Sequence, residues 1–474
     1  MSFPRSPHAP MSPRRDVCLL AALLVMAWPA VSPAQTTAVS TIAAFSGSRA
    51  SSGPVLGPDG ALYGTTSAST SVTGGLLYRL EANGSAIRTI YQFKVTDGFS
   101  PVGGLLLGSD GLLYGTTSTG DGTQFNTPGT VYRVAPDGSG FTILHRFETF
   151  GATSPIGTPV NTDGANPETE LVEGSDGYLY GVTRAGGPDG TGVVFKIARD
   201  GNDFAVLHAF GPITSAAIGT VPTNEDGYAP TGPLLAGADG YFYGTTSQGG
   251  VTGSGTIFRV SFDGSDFATV YTFPATTADA SGVVVNTEGA NPVAGLTDGQ
   301  DARLYGTTNL GGATGNGTLF AFDPVSRLLS VLHPFDALQG ARPTGELLLA
   351  QDGKLYGTAA TGGTNAAGDV TTYGTVFSIA RDGTGFTTLH NFAGTDGATP
   401  TGRLLQLSGT AFVGVAQGGA KCNQGSIYQL SLDGAEVKGI TNCGQKKNSG
   451  GGGVESLLLL MLGSLGLLRA LRGR

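Results

Sequence analysis

The sequence predicts an all-β fold, on three observations. Glycine supplies 79 of the 474 residues, a load that works against helices because each interior glycine costs about 1 kcal/mol relative to alanine. Short runs rich in Val, Ile, Leu, Tyr, Phe and Thr alternate with Asp-Gly or Gly-rich breaks, the pattern of strands joined by hairpin turns. These runs recur as one unit along the chain, and helical periodicity is missing from the body. Other classes are excluded in turn. No three-residue glycine period points to collagen. Leu, Val, Tyr and Phe recur too regularly for a disordered tail. The net charge of −9 makes nucleic acid an unfavourable partner.

The repeating unit is built on Asp-Gly-x-Leu-Tyr-Gly-Thr-Thr. Its tyrosine falls at Tyr63, Tyr114, Tyr180, Tyr243, Tyr305 and Tyr356, with Val413 in that place in a degenerate seventh copy. A Gly-rich loop follows, then Gly129-Thr130-Val131-Tyr132-Arg133-Val134 and its counterparts at Gly192, Gly255, Gly317, Gly374 and Gly425. An Asp-Gly turn such as Asp137-Gly138 leads to a fourth run, Phe141 to Phe147, and a variable linker ends in acidic-Gly-x-x-Pro. Four short strands per copy in a tandem array describe a propeller blade, and seven copies fit the range of about four to eight blades. The fold predicted is therefore a seven-bladed β-propeller of four-stranded blades over residues 37–443. A β-solenoid is the runner-up, but its repeats are shorter and rarely hold three hairpin turns.

The ends read as addresses. Arg14 and Arg15 precede an apolar run, Val17 to Trp28, and then small residues including Ser32 and Ala34. That order marks residues 1–34 as a signal peptide cut after Ala34, with a retained anchor as the other reading. Residues 444–453 form a Gly-rich linker containing Gly450, Gly451, Gly452 and Gly453. Residues 454–474 carry a short apolar run and Arg469, Arg472 and Arg474, too short for a comfortable permanent span. Without both ends, Lys+Arg falls from 26 to 20 and Asp+Glu from 35 to 33, for a net charge of −13. Two cysteines remain, Cys422 and Cys443; in an oxidising compartment an even pair predicts a disulfide clipping the last blade.

Two resemblances follow from these features. Leu113-Tyr114-Gly115-Thr116-Thr117 and Gly129 to Val134, with their counterparts over residues 37 to 442, resemble the GloVer tandem repeat of bacterial extracellular proteins. The seventh copy departs from it with Phe412-Val413-Gly414-Val415. The glycine spacer, apolar segment and basic stop resemble the GlyGly-CTERM tail, although Glu455 stands inside the apolar segment. The tail resemblance implies a Gram-negative bacterium, cleavage near the glycines by a rhombosortase-like protease, membrane contact before processing, and an extracellular or outer-membrane surface address. A plain C-terminal membrane tail is the alternative. The repeat family carries over no activity or catalytic residues.

Connectivity orders the two faces. Short Asp-Gly turns join strands one to two and three to four, and share one face. The Gly-rich loops between strands two and three share the other face with the inter-blade linkers. Variable loops on a rigid scaffold usually carry binding, so the linkers around Thr149–Glu168, Pro212–Pro230 and Ala275–Pro292 are the expected binding surface. The segment Ser40 to Phe45 matches a fourth strand and either seals the ring or adds to an edge, while Glu436 to Asn442 reads as the fourth strand of the last copy.

Chemistry is sparse. His145, His208, His333 and His390 share one repeat position, which Tyr91 and Tyr271 fill elsewhere, so they read as structural. The linker acids Asp97, Asp163, Asp226, Glu288 and Asp396 are candidate loop-face residues, with turn chemistry the simpler explanation. No metal motif appears, and no catalytic, cofactor-binding or metal-binding residue is assigned. The functional expectation is a secreted, surface-anchored binding or scaffold module, its ligand an extracellular glycan or protein. The alternative is a polysaccharide-acting hydrolase or lyase, which a unique acidic pair or a histidine in the central channel would favour.

Overall fold

The computed structural model describes residues 37–45, 48–68, 74–120, 128–154, 157–214, 221–420 and 424–436. Cys422, Cys443, Ala34 and Gly450 to Gly453 lie outside these residues. The described residues fall in one compact unit. They form seven sheets of four or five strands and two small two-stranded hairpins. Each large sheet is one antiparallel blade. In blade 2, for example, the strands from inside to outside are Leu106–Leu107, Leu113–Thr117, Thr130–Val134 and Thr142–Arg146. The first strand is short or split in every blade but the seventh, as in Ser48–Ala50 and Val55–Leu56 of blade 1.

The Asp-Gly-x-Leu-Tyr spacing has a physical cause. The aspartate accepts the backbone N–H two residues on, closing the turn, and also the hydroxyl of the tyrosine four residues on. Asp110 accepts Leu112 N at 3.1 Å and Tyr114 Oη at 2.7 Å; Asp59, Asp176, Asp239, Asp301 and Asp352 repeat both bonds. A hydroxyl inside a sheet stack needs such a partner. The seventh copy lost both together: Val413 replaces the tyrosine, and Ser408-Gly409-Thr410 replaces the turn. The glycine after each tyrosine has a separate role. A Cβ on Gly115 would lie 2.4 Å from Tyr132 Oη, so the third-strand ring can pack only on a bare backbone.

The core is not central. It consists of seven clusters, each shared by two neighbouring blades, such as Tyr114, Val131, Leu144, Leu179 and Phe195 between blades 2 and 3. A blade therefore buries its faces only against neighbours, and the ring must close.

Closure comes from the N-terminal segment. Ala38–Ala44 pairs antiparallel with Ser426–Ser431, the third strand of blade 7, and becomes that blade's outermost strand. The slot expected for Glu436 to Asn442 is thus occupied by the other end of the chain; Glu436 is not in a strand, and residues 437–442 lie outside the described set. The N-terminal strand suits the slot because Ile42, Ala43 and Phe45 turn into the cluster formed with Tyr78 and Leu80 of blade 1 and Val413 and Val415 of blade 7.

Ile42 is fully buried at this closure. Ile42→Ala is expected to lower the unfolding free energy by about 2–4 kcal/mol in urea titrations, whereas Val325→Ala, at an exposed turn, should leave it unchanged.

Candidate functional site

The linker acids and the repeated histidines form one device at each blade junction. His145 Nε2 lies 2.8 Å from Asp163, His208 Nε2 2.9 Å from Asp226, and His390 Nε2 2.8 Å from Asp396. Tyr91 donates to Asp97 at 2.7 Å, and Tyr271 donates to Glu288. Four of these carboxylates also accept the backbone N–H of the residue following the fourth strand's phenylalanine: Lys94, Glu148, Gly211 and Ala393. The ring on the fourth strand stacks on a phenylalanine from the next blade's outer turn: Tyr91 on Phe141, His145 on Phe204, His208 on Phe267 and His333 on Phe386, with centroids 3.4 to 4.2 Å apart. At His333 the acid is missing and Gln339 stands in its place; burial pushes this imidazole below its ordinary pKa, only partly opposed by Gln339 and Asp336. The five acids are therefore engaged in the seams, with Asp97 and Asp163 buried.

The three long linkers each fold into a small hairpin on the loop face. These are Ala152–Thr153 with Pro159–Val160, the bridge between Thr214 and Thr223, and Thr277–Ala278 with Val284–Val285. One asparagine clamps the base of each. Asn161 donates to the carbonyls of Glu148 and Gly164 and accepts the N–H of Gly164 and Gly187; Asn224 and Asn286 repeat the four bonds. The hairpin then rests on a glycine of the following blade. A Cβ on Gly253 would lie 2.4 Å from Val221, and one on Gly315 2.3 Å from Val283; both glycines also have positive φ. The clamp was legible: Asn two residues before the acid occurs only in the long linkers. Along this face Val221, Val251, Val283, Val284, Val370 and Tyr373 are exposed.

A third feature lies on the axis. The innermost segments of all seven blades line a cavity of about 820 Å3. Three charged side chains reach it from one repeat position, ten residues before the motif tyrosine: Glu170, Glu346 and Arg403. The other blades carry Gly53, Gly104, Pro233 and Gly295 there. Arg403 Nη1 lies 3.4 Å from Glu346 and keeps about half of its side-chain surface, 49 %, open to solvent. Burial pushes Glu346 up, with Arg403 opposing. Glu170 is partly buried, and burial pushes it up to about 7, opposed by Arg403 and reinforced by Glu346. Glu168 also lines the cavity and lies 3.9 Å from Arg184. Sequence reasoning missed this cluster, although the signal was present: charge at a position that is otherwise glycine or proline. Among the described residues, no group of three or more His, Cys, Asp or Glu could hold a metal.

The Gloeobacter/Verrucomicrobia repeat model matches residues 30–222, 157–284 and 214–373. The chain belongs to this repeat family. No curated protein matches it. Among solved structures it is similar to a catalytically inactive virginiamycin B lyase from Staphylococcus aureus with quinupristin, at 14% identity, covering 84% of this chain and 99% of that one with a TM-score of 0.51. It is also similar to a GH74 xyloglucanase from Xanthomonas campestris, at 15% identity, covering 83% and 55% with a TM-score of 0.49. A third similarity is to an oligogalacturonate lyase from Vibrio parahaemolyticus, at 10% identity, covering 82% and 91% with a TM-score of 0.46. At such identities the first of these shows the propeller fold and nothing finer, and the family match likewise leaves activity open.

Two substitutions probe these arrangements. Asp396 is buried in part, which raises its pKa, but the hydrogen bonds from His390 and Ala393 N outweigh burial and hold it below 3.8. Its stabilisation is present above that value and lost as pH falls through the lower folded-state value. Asp396→Asn should cost about 1–3 kcal/mol near neutral pH, with the deficit shrinking in acid denaturation series below pH 4. Glu170 has the opposite sign. A carboxyl raised from 4.5 to about 7 lowers folded stability as pH climbs between those values. Glu170→Gln should gain melting temperature on the parent between pH 4.5 and pH 8 in scanning calorimetry.

Proposed function

We propose that this propeller is an extracellular, surface-attached module that binds a protein partner through its loop face. One observation carries the reading. Three consecutive blades, 3 to 5, receive the same Asn-clamped hairpin, and two of these hairpins present exposed valines on a rigid base. Exposed apolar side chains gathered on one loop face favour an interaction site, and here they are aliphatic with one tyrosine, Tyr373. Glycan platforms rely on aromatic stacking, so the chemistry favours a protein over a sugar. A scaffold role in a surface layer uses the same face, with a second copy as the partner.

The cellular address belongs to this proposal. The N-terminal residues 1–34 are removed on export, the Gly450 to Gly453 spacer and the tail direct a rhombosortase-like cleavage, and Cys422 and Cys443 join. Intact-mass measurement of the surface-released protein checks all three, expecting loss of both ends and a mass two hydrogens below the reduced form.

The alternative of a polysaccharide-acting hydrolase or lyase draws on one observation, the unique Glu170 and Glu346 on the axis. It requires product formation from an extracellular polysaccharide, abolished by Glu346→Gln.

For the binding reading, immobilised mature protein is expected to retain a surface-extract protein or a second copy of itself. The double variant Val221→Asp, Val283→Asp should lower retention at least tenfold, and Val325→Asp on the opposite face should leave it unchanged. Equal retention by the loop-face variant removes the proposal.

A further inference from the structure

The axial cavity does something that the blades do not need. Blades 1, 2, 4 and 5 fold with glycine or proline at the position of Glu170, Glu346 and Arg403. Placing charge there takes a carboxylate out of water, which is costly without a partner. Departures from an otherwise consistent local pattern concentrate at functional sites. Two of the three charges satisfy each other, because Arg403 lies 3.4 Å from Glu346. Glu170 is left over. Among the described residues none hydrogen-bonds its carboxylate, and it packs over Gly104, where a Cβ would lie 2.6 Å from Oε2. A side chain at residue 104 would fill the space that the carboxylate occupies.

The cavity volume falls within the range of about 300–1,000 Å3 typical of small-molecule sites. Its walls mix apolar side chains, such as Val102, Leu105, Val293 and Leu404, with polar ones, such as Thr169 and Thr344. Among the described residues no aromatic ring lines it, which disfavours a ligand held by stacking. A partly buried carboxylate that accepts no hydrogen bond among the described residues, beside aliphatic side chains and with only Arg403 as a nearby cation, is complementary to a cationic head on a methylene chain. A divalent metal is a poorer fit, since the lining does not bring three hard ligands together.

We propose that the axial cavity is a binding site for a small aliphatic ammonium compound, whose cationic head sits against Glu170, with the Arg403–Glu346 pair also in the lining. The site is separate from the loop-face hairpins, and neither reading depends on the other.

Calorimetric titration of the mature protein with three five-carbon probes tests it. Cadaverine carries ammonium ends, 1,5-pentanediol neutral ends and glutarate anionic ends. At pH 8 cadaverine is expected to bind at one site per chain, with the diol and glutarate at least tenfold weaker. Glu170→Gln should weaken cadaverine at least tenfold with the circular dichroism spectrum retained. Arg403→Gln should strengthen it several-fold by freeing Glu346, and lowering the pH to 5 should weaken it as Glu170 takes up a proton. The proposal is overturned by glutarate or the diol binding as well as cadaverine, by cadaverine binding that Glu170→Gln leaves intact, or by no binding of any probe to the folded protein.

Discussion

The structure depends on the junction between successive blades. At Tyr91, His145 and His208 the fourth-strand ring is held from two sides there, by a carboxylate on the chain entering the next blade and by a phenylalanine ring from that blade's outer turn. The junction is reinforced nearer the axis. The residue before each linker proline adopts φ between 53° and 59°, as at Ser100, Asn166 and Asn291, and donates its N–H to the preceding blade's loop, Asn166 to Pro128 and Asn291 to Ser254. A left-handed non-glycine residue is costly in isolation, and it persists because the surrounding bonds over-determine it. Since each core cluster is shared by two blades, these contacts are the tertiary structure rather than additions to it. The same logic makes the N-terminal strand indispensable: without Ala38–Ala44, blade 7 would end on an unpaired edge and blade 1 would lose Ile42 and Phe45 from its cluster.

The junction also explains why the two faces differ. On the turn face the first turn of blades 1 to 6 is bound to the sheet through the Asp–Tyr pair, which sets its length and leaves little room for insertion. On the loop face the acid-to-aromatic bond closes whatever chain lies between the two residues. It spans 6 residues from Tyr91 to Asp97 and 18 from His145 to Asp163. Insertions are therefore tolerated there without disturbing the seam, in line with the weak dependence of closure entropy on loop length. The Asn clamp pins the base of three such insertions.

Period and alternation were sufficient to read the strands, the seven copies and the assignment of loops to faces, because those are local properties repeated many times. Three features needed coordinates. The acids and the histidines were each visible, but their pairing crosses a variable linker, so no fixed spacing announces it. The closing strand was ambiguous because Ser40 to Phe45 and Glu436 to Asn442 carry similar fourth-strand patterns, and a β pattern names a kind of slot without saying which copy fills it. Glu170, Glu346 and Arg403 were hidden for the opposite reason. They lie in blades 3, 6 and 7, far apart in the chain, and only a shared axis brings three equivalent positions together.

That geometry gives a ring a property that a linear array lacks. In an open solenoid equivalent positions form a row, and a charge at one is remote from a charge three repeats later. In a closed ring the innermost position of every blade faces the same small volume, so single substitutions scattered through the sequence converge. The surrounding fold can hold them because the innermost segments contribute little to the inter-blade clusters, which are built mainly from the second, third and fourth strands. Gly53 and Gly104 lie against their neighbours, where a Cβ would meet the Arg403 carbonyl at 2.3 Å and Glu170 Oε2 at 2.6 Å, so a charged side chain in one blade is matched by a bare position in the next. The axis is thus where this architecture can acquire a specific site while the seams stay unchanged.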